Sequence, residues 1–408
     1  MLLLSALALP LAAQAPLPNL DEVPFPQVTI ADPFFAPRRA TNSAVTLRQA
    51  LRQLEENGTL NNFDLAAQGR RSGFKGYVHQ DSDAYKAIEA CAYGLAERTD
   101  PGLDKQLDAI IARIAKAQQD DGYLNTYYLI SEPSGKRFSN LRDDQELYCA
   151  GHLMEAAVAH YFATDKRTLL NVATRFADLL VTTFGDGDGK RKGYCGHPEV
   201  ELALAKLARA TGTRAYVDLA HHFLRQRGSK YFAEEHGTKP ADYDGTYWLD
   251  HAPIRELTGM AGNAVRATYL MAGAVDIAAL TGDDELLKAA RRVWRNTTDK
   301  NIFVTGGIGP SAANEGFTRD YDLPTHNAYQ ESCASIGTAM WAHRLNLLTG
   351  EAQYADAVET ALYNAIPAGV QVDGTRFFYV NPLASRGGHH RRSEEHTSEL
   401  QSQFRISY

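Results

Sequence analysis

LTGDDELLKAARRVWRNT, residues 280–297, ends one helix and starts another around a short threonine-led turn. The same design recurs as ATDKRTLLNVATRFADLL (163–180), ATGTRAYVDLAHHFLRQR (210–227) and LTGEAQYADAVETALYNA (348–365). Thr164, Thr211, Thr281 and Thr349 stand where an N-terminal capping or turn oxygen is wanted, and Gly212, Gly282 and Gly350 suit a left-handed residue between helices. Ala173, Ala220, Ala290 and Ala357 follow eight or nine residues later, where close packing favours a small side chain. A fainter copy starts RTDPGLDKQL at 98.

The intervals between the four threonines are 47, 70 and 68 residues, too irregular for an open solenoid of fixed period. They suit helical hairpins joined by loops of varied length. Periodicity of 3.6 predicts eleven helices, near 42–56, 83–98, 102–119, 145–163, 166–183, 198–211, 214–227, 260–280, 283–298, 330–348 and 351–366. The economical architecture is all-α: six hairpins closing into a double ring, an (α/α)6 toroid, with the twelfth helix missing and an open wedge beside 351–366. FPQVTIADPFF (25–35) and GTRFFYVNPL (374–383) read as short peripheral strands.

In such a ring the linkers after alternate helices converge on one face. Four of them are polar, aromatic and glycine-rich: 76–86 (GYVHQDSDAYK), 120–128 (DDGYLNTYY), 192–201 (KGYCGHPEVE) and 304–332. Tyrosine offers an apolar ring face and a polar tip, which suits a sugar ring and its hydroxyls. The GGIG within 304–332 lacks a Walker lysine and a βαβ setting, so it is not read as a phosphate loop.

Composition narrows the partners. The chain has 408 residues, 44% apolar and 22% charged, with net charge -7 and no long basic run, so no nucleic-acid surface is indicated. After the N-terminus no segment approaches the ~20 apolar residues of a membrane span. A neutral small molecule or a sugar, free or within an oligo- or polysaccharide, suits this balance better. MLLLSALALPLAAQA (1–15) is apolar and closes on a small-x-small cleavage pattern, so it reads as a signal peptide and the product as secreted or periplasmic. The other end, RSEEHTSELQS from Arg392 followed by QFRISY, matches the translation of a common DNA-sequencing adapter. Residues 392–408 are therefore set aside as an artefact, leaving a catalytic domain over 20–391 that is cut short.

YQESCASIG (329–337) places Glu331 two residues before Cys333 at a helix start. A carboxylate and a thiolate together suit zinc, which takes about four protein ligands in a closed site and about three in a catalytic one. The other cysteines, at 91, 149 and 195, form no CxxC and read as small apolar core residues. Read alone, Glu315 in ANEGF is a solvated loop carboxylate or an acid/base group, Glu331 a helix-start carboxylate, and His152 and His197 satisfied core histidines or hydroxyl ligands.

These segments together, GYVHQDSDAYKAIEA, AQQDDGYLNTYY, LRDDQELYCAGHLMEAAVAHY, GHPEVELALAKL, TGGIGPSAANEGF, YDLPTHNAYQESCASIG and FFYVNPLAS, resemble glycoside hydrolase family 127 and its relative family 146, the β-L-arabinofuranosidases. The resemblance implies an (α/α)6 barrel followed by β-sandwich domains, and a zinc held by one glutamate and three cysteines. Glu331 and Cys333 match the first two ligands; the family's adjacent Cys-Cys pair would follow the NPLASRGGHHRR segment, where the adapter-like sequence begins. It further implies a retaining exo-glycosidase with a zinc-bound cysteine nucleophile, Glu315 as acid/base, and His152, His197 and Tyr379 as sugar ligands. Where many relatives carry a histidine, this chain has Asn263, which cannot titrate near neutrality. A polysaccharide lyase or unsaturated-uronyl hydrolase on the same toroid, and a non-catalytic carbohydrate-binding scaffold, are the competing readings. The lyase reading is disfavoured by linkers poor in Arg and Lys.

Overall fold

A computed structural model describes residues 20–132 and 135–384. Twelve helices build the ring: α1 (Leu47–Glu56), α2 (Thr59–Ala67), α3 (Asp81–Glu97), α4 (Pro101–Ala117), α5 (Glu146–Thr164), α6 (Thr168–Thr183), α7 (Val200–Thr211), α8 (Arg214–Gln226), α9 (Ala264–Thr281), α10 (Asp284–Lys300), α11 (Ser332–Thr349) and α12 (Ala352–Tyr363). Helices α1, α3, α5, α7, α9 and α11 form the inner wall, each packed on the next from α1 round to α11. Their partners form the outer wall. The inner helices α3, α5 and α9 are covered on nearly every side: α5 is buried continuously from Glu146 to His160 and α9 from Ala264 to Ala278, whereas α1 is buried along one stripe, Leu47, Ala50, Leu51 and Leu54. By length and composition α9 would also pass as a membrane span, but 83% of it is buried inside the ring.

The outer helices carry narrow apolar stripes. Ala173, Ala220 and Ala290 are fully buried where the outer helices meet the inner wall, and Ala357 is partly covered. The repeated threonines serve the turn. Each ends an inner helix, and its hydroxyl donates back to the carbonyl four residues earlier: Thr164 to His160 at 2.7 Å, Thr211 to Leu207 at 2.9 Å, Thr281 to Ile277 at 2.6 Å and Thr349 to Leu345 at 2.8 Å. Three of these oxygens also accept from the amide two residues on, Thr164 from Lys166 at 3.3 Å, Thr211 from Thr213 at 3.4 Å and Thr349 from Glu351 at 3.2 Å. The left-handed residue that turns the chain is Gly212, Gly282 or Gly350, and in the first copy Asp165, with φ 59°.

Three expectations are corrected. There are twelve ring helices, because TLNNFDLAA at 59–67 is a helix too short to show a periodicity of its own. It starts from Gly58, at φ 88°, while the Asn57 side chain accepts from the Thr59 amide at 2.9 Å and from its hydroxyl at 2.7 Å. Second, 25–35 and 374–383 are not strands. The first holds one tight turn, then Asp32 accepts from the Phe34 and Phe35 amides, both at 2.8 Å, and launches a helix at Phe35–Thr41 that continues through a π turn into α1. The second turns back at Gly374 and makes single bridges, Val370 to Phe377 and Val380 to Glu331.

Third, the seam between the last and first hairpins is not an open wedge. The Leu20 amide bonds Leu347 at 3.0 Å, the Thr46 hydroxyl bonds Gly374 at 3.0 Å, and Phe34 and Phe35 pack on Tyr363 at 5.3 and 4.8 Å. Cover over α12 is thin all the same, since Tyr354 and Ala361 are its buried residues. The leader and adapter-like segments lie outside the described residues.

Gly337 of α11 faces Thr268 of α9, and an added Cβ would overlap the Thr268 hydroxyl and approach its Cβ at 2.9 Å. Gly337→Ala gains about 1 kcal/mol of helix propensity, but overpacking a buried contact costs about 1–3 kcal/mol. Because Thr268 is fully buried and bonds within its own helix turn, it has little room to yield. The expected net effect is destabilisation by about 1–2 kcal/mol, read as a lowered urea midpoint.

Candidate active site

Five inner helices begin at the same end of the ring, and the sequence-predicted residues lie at or near these starts. Tyr148 and His152 are in the first turns of α5, His197 precedes α7, Asn263 caps α9, and Glu331 stands at the N-cap of α11 with Cys333 in its first turn. Helix N-termini carry partial positive charge, which favours carboxylates there.

Glu315 comes from the 304–332 linker with φ 50°, a strained value for a non-glycine residue. Its backbone is held by the Ala264 amide, which donates to the Glu315 carbonyl at 3.0 Å, and by the paired bonds of Ser311 and Gly316. Gly316 is required, since any Cβ would overlap the Gly262 carbonyl. Three neutral donors then fix the Glu315 carboxylate: Tyr329 Oη at 3.2 Å on one oxygen, and Tyr247 Oη at 3.2 Å and Asn263 Nδ2 at 3.1 Å on the other. Asn263 is spent at both ends, for its Oδ1 caps α9 by accepting from the Arg266 amide at 3.0 Å.

Glu331 is 4% exposed. Burial first, and then the nearby Glu315 charge, push its carboxyl up to about 8, although hydrogen bonds from Tyr379 and Cys333 and the Arg266 charge pull the other way. Tyr379 arrives on residues 379–381, whose backbone bonds to 329–332: the Ser332 amide donates to Tyr379 and the Asn381 amide to Tyr329 and Gln330, each at 3.3 Å. The Tyr329 and Tyr379 rings meet at 5.8 Å. Glu315, Glu331, Cys333 and Tyr379 are thus brought together.

The histidines lie at neighbouring helix starts, and the Arg266 charge acts on both Glu331 and His197. His197 donates from Nδ1 to the Pro198 carbonyl at 3.0 Å, which leaves Nε2 as an acceptor. Burial, then the Arg266, Lys86 and His79 charges, hold it well below the usual imidazole range, so it is neutral. The Tyr148 ring lies 4.4 Å from both His197 and His152. His152 itself is fully buried, with Nδ1 3.2 Å from the equally buried Glu199 carboxylate. It lies beneath the cavity surface, where it fixes Glu199 and Tyr148.

Sequence reasoning missed Arg266, Lys86, Tyr148, Tyr247 and Tyr329. Arg266 donates to the Gly196 carbonyl at 2.7 Å and lies 4.6 Å over the Tyr247 ring; Lys86 lies 5.0 Å over Tyr148. Two cations therefore act on His197: Arg266, from the first turn of α9 and outside all four linkers, and Lys86, the last residue of the 76–86 segment, which is in α3. Asn263 and Arg266, one turn apart at a helix start, were the available signal. The same end is tied down by Arg227, whose guanidinium reaches the Cys195 carbonyl at 2.6 Å, Glu201 at 3.1 Å and the Trp248 carbonyl at 3.1 Å.

Glu331 and Cys333 present a hard and a soft donor side by side, a pair that fits zinc. Among the described residues, the group of three side chains drawn together at ligand spacing is elsewhere, at Asp104, Asp108 and His160 on the outside of the ring. There Lys166 already bridges both aspartates, at 2.6 and 2.8 Å.

The family profile described as the β-L-arabinofuranosidase, GH127 catalytic domain matches residues 27–404, a span that runs through part of the segment read as adapter. A non-reducing end β-L-arabinofuranosidase of Bifidobacterium longum is 39% identical over 335 residues, 79% of this chain and 51% of that protein. The crystal structure of a GH127 β-L-arabinofuranosidase from Geobacillus stearothermophilus superposes with TM-score 0.84 at 43% identity, covering 87% of this chain and 58% of the other. A second GH127 β-arabinofuranosidase structure gives TM-score 0.88 at 36% identity, covering 96% and 61%. The chain spans about half to three-fifths of these relatives' lengths.

Asp81 anchors the 76–86 linker by accepting from the Thr126 amide at 2.7 Å and from its hydroxyl. Burial raises its carboxyl from 3.8 to about 6. With the folded value raised, its contribution to stability is complete below pH 3.8 and is lost as pH rises through about 6. An asparagine here accepts from the Thr126 amide through Oδ1 and donates to its hydroxyl through Nδ2, so Asp81→Asn should flatten that slope and gain about 2 kcal/mol at pH 7, measured by urea unfolding from pH 4 to 7 against the unsubstituted chain.

Proposed function

The chain belongs to glycoside hydrolase family 127, and we propose that the whole protein is an exported retaining exo-glycosidase that removes non-reducing-end β-L-arabinofuranose. The observation that carries this reading is the convergence of Glu315, Glu331, Cys333 and Tyr379 at one end of the toroid. A retaining glycosidase needs one group that protonates the departing oxygen and then takes a proton from water, and a second that forms the covalent bond to the sugar.

Glu315 is the first group. Its carboxylate is oriented by Tyr247, Tyr329 and Asn263 from three separate segments, so it is positioned before substrate arrives. His197, neutral and with Nε2 able to accept, suits a sugar hydroxyl. Tyr379 holds Glu331 and presents a second polar tip, while His152 and Glu199 support the floor.

Glu331 and Cys333 would supply two of four zinc ligands. A buried carboxylate pushed up to about 8 is an incompletely compensated acid, and a divalent cation is the compensation it lacks. Bound zinc supplies thiolate character at neutral pH. The cysteine that would act as nucleophile, and the remaining ligands, have no counterpart among the described residues.

The test compares this chain with a natural-length version on an aryl β-L-arabinofuranoside. The natural-length protein should turn over and hold one zinc after dialysis. Glu315→Gln should lower kcat by roughly 10²–10⁴, and Cys333→Ser should lower the zinc stoichiometry. Substantial turnover by this chain alone would refute the cysteine-nucleophile mechanism. Full zinc with no arabinofuranosidase activity would instead point to another sugar, with Asn263 as the first residue to examine.

A further inference from the structure

From His152 a row of rings leads outward to solvent. His152 is fully buried and Tyr148 is 7% exposed; His79 lies beyond Tyr148, edge-on at 6.4 Å; Tyr77 is 52% exposed and stacks on His79, with centroids 5.7 Å apart and planes within 12°. The row passes His197, which touches Tyr148 at 4.4 Å. Tyr77 is therefore the solvent-exposed end of a row of rings whose inner part touches His197, one of the sugar ligands proposed above.

Single exposed aromatics are common on protein surfaces and by themselves mean little. This one is built into a rigid mount. The Asn62 amide exchanges two bonds with the Lys75 backbone, at 2.8 and 3.0 Å. The Tyr77 amide donates to Gln80 Oε1 at 3.2 Å, while Gln80 Nε2 donates to Thr59 and Asp83, both at 2.8 Å. Gly76, at φ 98°, lets the Gln80 side chain lie where any Cβ would stand. A ring already fixed in place loses little freedom when a ligand covers it.

We propose that Tyr77, backed by His79, is a sugar-stacking subsite that takes the ring on the leaving-group side of the scissile bond. In an exo-acting enzyme the terminal residue lies deepest and the rest of the chain runs toward the rim, which is the direction of this row. The ligand is a neutral saccharide ring, whose C–H face matches an aromatic face while its hydroxyls remain in water. The inference rests on the glycosidase reading.

Titration calorimetry of this chain with methyl β-L-arabinofuranoside and with a β-L-arabinofuranosyl disaccharide tests it. The disaccharide should bind more tightly, and Tyr77→Ala should reduce that advantage by on the order of fivefold while the methyl glycoside affinity is unchanged. Tyr77→Phe should keep the advantage, since the ring and not the hydroxyl stacks. An unchanged thermal midpoint in both variants excludes a folding defect. If the unsubstituted chain binds both ligands equally, or Tyr77→Ala leaves the advantage intact, the subsite is refuted and the glycosidase reading stands. If it binds neither, both fall.

Discussion

The ring closes because inner helices approach one another more nearly than ordinary side chains allow. At three successive contacts a glycine stands where a Cβ would be crowded: it would collide at Gly151 of α5, against Glu199, and at Gly337 of α11, against Thr268, and would be tight at Gly273 of α9, 3.2 Å from Glu201 and Leu202. A six-membered inner wall is narrow, and larger residues at these points would widen it. Widening would separate the helix starts that carry the site. The alanine richness of α3, α5, α7 and α9 belongs to the same requirement, and it explains why these helices are buried on all faces rather than along a stripe.

Close packing of the wall has an electrostatic consequence at its end. The starts of α3, α5, α7 and α11 bring Asp81, Glu146, Glu199, Glu201 and Glu331 into buried positions. Each carboxylate must be compensated within the fold. Glu201 has Arg227, Glu199 has His152, and Asp81 has Thr126, whereas Glu146 takes the Tyr123 hydroxyl and the Phe138 amide and is still pushed up to about 8 by burial. Glu331 is in the same position with Tyr379 and Cys333 as neutral donors and Arg266 as a distant charge. Structural carboxylates and the proposed ligand thus share one environment. They differ in their neighbours: Asp81 and Glu201 also lie near thiols, Cys149 and Cys195, but Glu331 takes a hydrogen bond from its thiol, Cys333, and faces the loop carboxylate of Glu315.

What the sequence disclosed follows from which interactions are local. The long helices were legible because 3.6 periodicity and the Thr-Gly turns are written within a few residues. Helix Thr59–Ala67 was not, since nine residues give little periodicity and its start depends on Asn57 and a left-handed Gly58. The strand reading of 374–383 failed because β-rich composition cannot reveal that Tyr379 and Asn381 spend their backbone bonds on 329–332. For the site, motif resemblance named Glu315, Glu331, Cys333 and His197, and the fold sets Glu315, Glu331 and Cys333 together with His197 nearby, the Arg266 charge acting on both Glu331 and His197. Arg266 and Lys86 escaped notice because they lie within helix patterns whose apolar neighbours dominate, and their proximity to His197 arises from three different inner helix starts.

The two proposed halves of the chemistry are mounted differently, and that difference bears on how the site works. The histidine side, with Tyr148, His152 and Glu199, is built into α5 and the start of α7, the best-buried part of the wall. Glu315 and Tyr379 instead stand on loops, joined to the wall by a handful of backbone bonds: Ala264 to Glu315, Phe317 to Gly262, Ser332 to Tyr379. Glu315 is nonetheless held firmly: its strained φ is maintained because Gly316 lies flat against Gly262, which ties the loop to the start of α9. Asn263 completes that link, since one amide caps the helix with its oxygen and holds Glu315 with its nitrogen. A side chain with a single ring nitrogen facing each partner would make the same two bonds only in one tautomer, whereas an amide offers a fixed donor and a fixed acceptor at every pH.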